Sequence, residues 1–282
     1  MNNILQTEAL YLIAELRQIH ALVKDIGEKE VLESSSVELQ VAFKRLDELA
    51  ALEVDEESTE MIIKSLGLEP LLISISHFRF SYNLKLEIEK ANSSLESQNP
   101  WKTLMNFTFY PNYLQLARTE YIGSKLKPEN CVVFLGSGPL PLSLIMLCHE
   151  YGVQGIGIEQ DGKRASLSRE VISRLKLSEK IRIIEGNHFC LPLEDRCELY
   201  MVAAQAEPKK EIFEHLVKVL PKGSKVSYRL YEKGLRRILD GSILFKLPAG
   251  FEEYLRIQPE PPVNNTVVFL EKNSNSEPLF TF

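Results

Sequence analysis

The 282-residue chain has no apolar run of about 18 residues, so nothing in it reads as a membrane span. It has no excess of basic charge either. Thirty-three Lys and Arg stand against 39 Asp and Glu, a formal net charge of −6, which argues against a nucleic-acid binder. Cysteine is scarce. Cys131, Cys148, Cys190 and Cys197 form no C-x-x-C pair, so a disulfide scaffold is excluded and free thiols in a reducing cytoplasm are expected. His188 and Cys190 are two apart, but no second pair stands nearby, and no metal site is predicted. Met1-Asn2-Asn3-Ile4-Leu5 carries no basic stretch, so no signal peptide is expected. Internal repeats and low-complexity tracts are absent as well. Hydrophobic residues make up 44% and charged residues 26%, which excludes disorder and collagen and leaves one large or two smaller folded domains.

Charge is distributed unevenly. Residues 1–100 hold 18 acids against 9 bases, and the rest holds 21 against 24, which suggests two units with different roles. The first hundred residues read as helices. Ile4, Leu5, Leu12, Leu16, Ile19 and Val23 recur at helical spacing, and Val37, Val41, Leu46 and Leu49 form a second stripe. A long helix is predicted from about Pro70 to Ala91, ending at Asn92-Ser93-Ser94. Downstream, short apolar runs at Val132–Leu135, Val153–Ile158, Ile181–Ile184, Leu199–Ala203, Val226–Tyr228 and Val267–Leu270 alternate with helical segments. That alternation predicts an α/β, Rossmann-type doubly wound sheet closed by an antiparallel edge pair. The predicted organisation is a helical N-terminal cap over 1–100, a connecting segment over 101–125, and the Rossmann-type domain over 126–282.

The first predicted strand runs into Gly136-Ser137-Gly138-Pro139-Leu140-Pro141, where glycines permit a tight turn and close approach of a ligand. Pro139 sits where a helix could begin. The next strand ends at Glu159, whose carboxylate could accept from both hydroxyls of an adenosine ribose; Asp161 competes for that role. A dinucleotide fingerprint would place its third glycine at Pro141. S-adenosylmethionine has no pyrophosphate and does not need that approach, so it is favoured over NAD.

The stretch Gly136-Ser137-Gly138-Pro139-Leu140-Pro141-Leu142 resembles the G-x-G-P-L-P-L element of nicotianamine synthases. Further matching pieces stand in the family's order. They are Asn99-Pro100-Trp101-Lys102-Thr103-Leu104, Phe107 through Tyr113, Met201 through Lys209, Tyr228-Arg229-Leu230-Tyr231 and Val263-Asn264-Asn265-Thr266. The resemblance covers roughly residues 70–272 and is nearest to the short archaeal and bacterial type, including related enzymes of opine-metallophore biosynthesis. It implies transfer of the 3-amino-3-carboxypropyl group of S-adenosylmethionine rather than its methyl. An amine attacks Cγ, 5′-methylthioadenosine leaves, and a nicotianamine-like metal chelator is built. The acceptor would be glutamate, histidine or a partly built nicotianamine, with no catalytic metal, nucleic acid or membrane involved.

The same resemblance assigns the base and its orienting partner to Glu87 and Tyr113. His77, Phe80, Leu84 and Glu87 share one face of the long helix, which could desolvate the carboxylate. Tyr110 and Arg229 are substrate-binding candidates, Arg229 as a carboxylate clamp. Asn187 would face the adenine, and Ala203 would leave room for the purine or methionyl atoms. Asn264-Asn265-Thr266 reads as a turn. Three other readings remain open: a methyltransferase with the same loop, an NAD-linked dehydrogenase, and a non-catalytic ligand-binding module.

Overall fold

The computed structural model describes residues 2–65, 69–239 and 246–273. Two compact units divide the chain: Met1–Leu86 with Tyr231–Ile243, and Glu87–Leu230 with Leu244–Phe282. The boundary falls inside the long helix, earlier than residue 100, and the first unit also takes in the segment after the fifth strand.

The first unit is helical. It comprises α1 (Asn2–Val23), α2 (Glu28–Glu33), α3 (Val37–Ala51), α4 (Glu56–Ser65) and the first part of α5 (Glu69–Glu96). Leu12, Leu16, Ile19 and Val23 are buried as their spacing predicts. The stripe of α3 is a different one. Val37 and Val41 are 69% and 55% exposed, and Leu39, Ala42, Phe43, Leu46, Leu49 and Ala50 face the core. Five residues separate Val41 from Leu46, about 140° around a helix, so the two could not share a face. Ser36 caps α3 by accepting from the Glu38 and Leu39 amides. The buried Arg79 guanidinium donates to Asp47 and to the Tyr231 hydroxyl, both at 3.0 Å, which ties the 231 segment to this unit.

Helix α5 continues past its predicted end. The Ser93 and Ser94 hydroxyls donate to the carbonyls of Glu89 and Lys90, each four residues earlier, so these serines are accommodated within the helix rather than ending it.

The second unit carries a seven-stranded sheet in the order β3-β2-β1-β4-β5-β7-β6. Its strands are β1 (Cys131–Leu135), β2 (Gln154–Glu159), β3 (Ile181–Glu185), β4 (Leu199–Val202), β5 (Lys225–Leu230), β6 (Phe251–Ile257) and β7 (Thr266–Lys272). The first five are parallel; β7 runs antiparallel to both β5 and β6. Helices α6 (Pro100–Met105), α7 (Tyr110–Gly123), α8 (Leu142–Tyr151), α9 (Gly162–Arg174) and α10 (Lys209–Val219) complete the unit. Every residue of α8 from Leu142 to Cys148 is buried, so this helix packs on all sides. Strand order reverses between β1 and β4, and such a switch point opens a crevice beyond the strand ends where ligands bind. The glycine loop leaves β1 there.

Candidate active site

Both glycines of the loop adopt left-handed backbone, φ +76° at Gly136 and +72° at Gly138, which other residues reach only with strain. A side chain at 136 would crowd Ala206 and Ala203, with Cβ distances of 3.1 and 3.3 Å. Ala203 thus lies against the loop at the end of β4, and its amide donates to the Leu135 carbonyl. The buried Ser137 is admitted by Gly157 of β2, where an added Cβ would stand 2.8 Å from the Ser137 oxygen. Gly157 escaped the sequence reading because nothing local marks it. Pro139 lies in the turn and not at the helix start; Pro141 holds the N-cap position of α8.

Glu159 ends β2 and is 5% exposed. Its two carboxylate oxygens accept from the amides of Gly138 and Asp161, both at 3.0 Å. Each oxygen keeps a lone pair for a further donor. Asp161 does other work: its carboxylate caps α9 by accepting from the Arg164 amide at 2.9 Å. The two acids that compete in the sequence therefore separate, one at the glycine loop and one at a helix start.

Across Gly138 from Glu159 lies Glu87 of α5. A Cβ placed on Gly138 would stand 3.2 Å from Glu87 Oε2. The Tyr113 hydroxyl, in the first turns of α7, donates to Glu87 Oε1 at 2.9 Å. Two residues 26 apart in sequence thus meet over the loop. Removal from water pushes the Glu87 carboxyl up to about 7, and the negative charge of Glu159 acts in the same direction. The Tyr113 hydrogen bond and the Arg164 cation oppose them. The result is a carboxylate poised to exchange a proton near neutrality, beside a phenol that orients it.

The remaining candidates divide. Asn187 is the cap of the short 3-10 turn after β3, where its Oδ1 accepts from the Phe189 amide at 3.0 Å. Tyr110 is buried at the start of α7. Arg229 departs from expectation. It is 4% exposed and grips Glu120 of α7 with two hydrogen bonds, 3.0 and 2.9 Å, while also donating to Ser143 of α8 at 2.9 Å. A guanidinium so committed holds helices to the sheet, and these bonds favour that structural role over a substrate clamp. Glu120, the partner that explains Arg229, went unnoticed in the sequence, as did the buried Lys209. The Lys209 ammonium donates to the Ala204 carbonyl and to Glu207, fastening the loop after β4. Among the described residues no helix is long and apolar enough to cross a membrane, and no cluster of three His, Cys, Asp or Glu could hold a metal ion.

Comparison with known proteins bears on this arrangement. The family model described as nicotianamine synthase protein matches residues 7–277. Nicotianamine synthase 2 of Arabidopsis thaliana is 29% identical over 189 residues, 63% of this chain and 59% of that protein. Nicotianamine synthase 3 of Oryza sativa subsp. indica is 25% identical over 207 residues, 66% of this chain and again 59% of the relative. The match thus spans about three-fifths of the length of these plant relatives. Among solved structures, a Glu-to-Gln mutant of MtNAS in complex with S-adenosylmethionine is 30% identical, with a TM-score of 0.79 over 93% of this chain and 98% of that one. MtNAS in complex with MTA and tNA is 29% identical, with a TM-score of 0.79 over 95% and 97%. With nearly its whole length matched by one family model, and with a Rossmann-like sheet and glycine loop of the kind that resemblance implies, the chain belongs to the nicotianamine synthase family.

Proposed function

We propose that the protein transfers the 3-amino-3-carboxypropyl group of S-adenosylmethionine to the amine of an amino-acid acceptor, releasing 5′-methylthioadenosine and building a nicotianamine-like metal chelator. The observation that carries this reading is the Glu87–Tyr113 pair lying over Gly138. An acceptor amine arrives as an ammonium and must lose a proton before it has a lone pair to offer. A carboxylate near pKa 7 is suited to take that proton at neutral pH. The freed nitrogen attacks Cγ, the Cγ–S bond breaks, and its electron pair neutralises the sulfonium. A sulfonium makes three carbons electrophilic, so choice among them is a matter of aim, and alignment alone is worth up to about 7–11 kcal/mol. Structures of MtNAS with S-adenosylmethionine and with MTA support the donor and its by-product. The acceptor would be glutamate, histidine or a partly built chelator. The protein would work in the cytoplasm, and the reaction needs no metal of its own.

Glu159 is assigned to the adenosine ribose, with Gly136, Ser137, Gly138, Pro139, Asn187 and Ala203 around the same ligand. Glu159→Gln keeps one acceptor oxygen but loses the charge, and S-adenosylmethionine binding should weaken about tenfold or more in calorimetry. Asp161→Ala should instead lower stability by about 1 kcal/mol through the lost cap and leave binding near wild type. Equal binding losses in the two variants would contradict the assignment.

Mass spectrometry of incubations with S-adenosylmethionine, alone and with glutamate or histidine, tests the reaction itself. The expected products are methylthioadenosine and an acceptor carrying one aminocarboxypropyl unit per transfer. Release of adenosylhomocysteine would point to a methyltransferase instead.

A further inference from the structure

The segment Val263-Asn264-Asn265-Thr266 enters β7 at the edge where the parallel strands end, since Thr266 pairs with Leu230, the last residue of β5. Asn265 is 6% exposed, and its side-chain nitrogen has no hydrogen-bond partner among the described residues. The clusters of its neighbours give its direction. Val263, Val267 and Phe269 cluster with Leu116 and Tyr113 of α7, whereas Val268 and Leu270 belong to the cluster on the other face. Asn265 lies in the bend just before β7, midway between Val263 and Val267 of the first set.

Its level along α7 follows from the same contacts. An added Cβ at Gly123 would strike the Phe269 ring at 2.4 Å, so the end of α7 rests on Phe269. Leu116 packs in the cluster of Val263 and Val267, so helix and strand run back together from that point. From Phe269 to Thr266 the strand covers about 10 Å, with Asn265 one residue further in the bend before it, and from Gly123 to Asn112 the helix covers about 16 Å. Asn265 therefore comes level with the first turn of α7. There Asn112 Oδ1 is also shielded from solvent and without a hydrogen-bond partner among the described residues. Among the described residues Asn112, which precedes Tyr113 in the chain, thus offers an unpaired acceptor and Asn265 an unpaired donor toward the end of α7 where Tyr113 holds Glu87. Native proteins rarely leave such groups unmatched, and a ligand that pairs both is one way they persist.

We propose that Asn112 and Asn265 read the α-amino-acid group of the acceptor. Asn265 donates to its carboxylate. Asn112 accepts one N–H of the amine while Glu87 takes the proton that frees the lone pair. The inference rests on the reading of Glu87 and Tyr113 as the amine-activating pair, and it names the substrate end that those residues meet.

Binding calorimetry separates the two ideas because it does not require turnover. L-Glutamate, L-histidine and their α-carboxamides are titrated into the full chain, with and without saturating methylthioadenosine. The wild type should bind at least one of the two acids and prefer it to its carboxamide by about tenfold or more. Asn265→Ala should weaken that acid by about tenfold to a hundredfold and bring the acid-to-amide preference toward one. Asn265→Asp, nearly isosteric, should weaken the acid at least as much by repulsion. S-adenosylmethionine affinity should stay at the wild-type value in both variants. Wild-type discrimination in both variants would overturn the proposal. So would the absence of binding of either acid to the wild type, or joint loss of S-adenosylmethionine binding in both variants, which would mark Asn265 as structural. A wild type that binds glutamate yet releases no methylthioadenosine would sink the transfer reaction and leave this inference standing.

Discussion

Glu87→Gln is expected to slow methylthioadenosine release by about 10²–10⁴ while S-adenosylmethionine still binds. Glutamine keeps an oxygen that can accept from Tyr113, so the pair's geometry survives and only the proton acceptor is lost. The wild-type rate should rise with pH through about 7 as the carboxyl ionises, and that rise should vanish in the variant. The same substitution has an opposite consequence for stability. The carboxyl titrates near 4.5 when unfolded and near 7 when folded, so between those values the native state holds a proton that the unfolded state has lost. Stability is therefore lost as pH rises from about 4.5 to 7, by an amount on the order of 3 kcal/mol. Glutamine cannot ionise and avoids this loss. At pH 8 the variant should unfold at higher denaturant than the wild type, and the gap should close near pH 4.5. A full rate with unchanged stability at pH 8 would remove Glu87 from the chemistry.

The central strands were legible because strands buried on both faces are continuous apolar runs, as in Val132-Val133-Phe134-Leu135. Strand β6 was not, because it lies at the sheet edge and its Glu252, Glu253 and Arg256 dilute the pattern. Glu159 was legible because fold topology puts the end of β2 beside the loop after β1. Glu87 and Tyr113 were reachable only through the family resemblance, since a glutamate and a tyrosine on two helices carry no local mark of their meeting. The partners of Arg229 were hidden for a related reason. Its position at a strand end was readable, but its partner Glu120 lies 109 residues away, and only the fold joins them.

The Arg229–Glu120 pair supports the second large prediction. Glu120 is 1% exposed and its carboxyl is pushed up by burial, with the Arg229 cation holding it down. Arg229→Met leaves that buried carboxylate uncompensated and should destabilise the protein by about 3–5 kcal/mol in chemical denaturation. The penalty should shrink as pH falls toward 4.5, because a carboxyl protonated in both states no longer needs a cation. Replacing both partners, Arg229→Met with Glu120→Leu, removes the charge problem altogether and should restore most of the loss, since buried pairs are often no better than well-packed apolar residues. This double variant also decides the role of Arg229. Glu120 lies two turns beyond Tyr113 on α7, so a repacked contact that still holds the helix should preserve the Tyr113–Glu87 hydrogen bond and turnover with it. A substrate clamp would behave otherwise: the double variant would be stable, but KM for donor or acceptor would rise by about tenfold or more, the loss of a charge-assisted hydrogen bond. Near-normal KM in a stable double variant is the expected result, because every hydrogen bond seen at Arg229 points to Glu120 and Ser143.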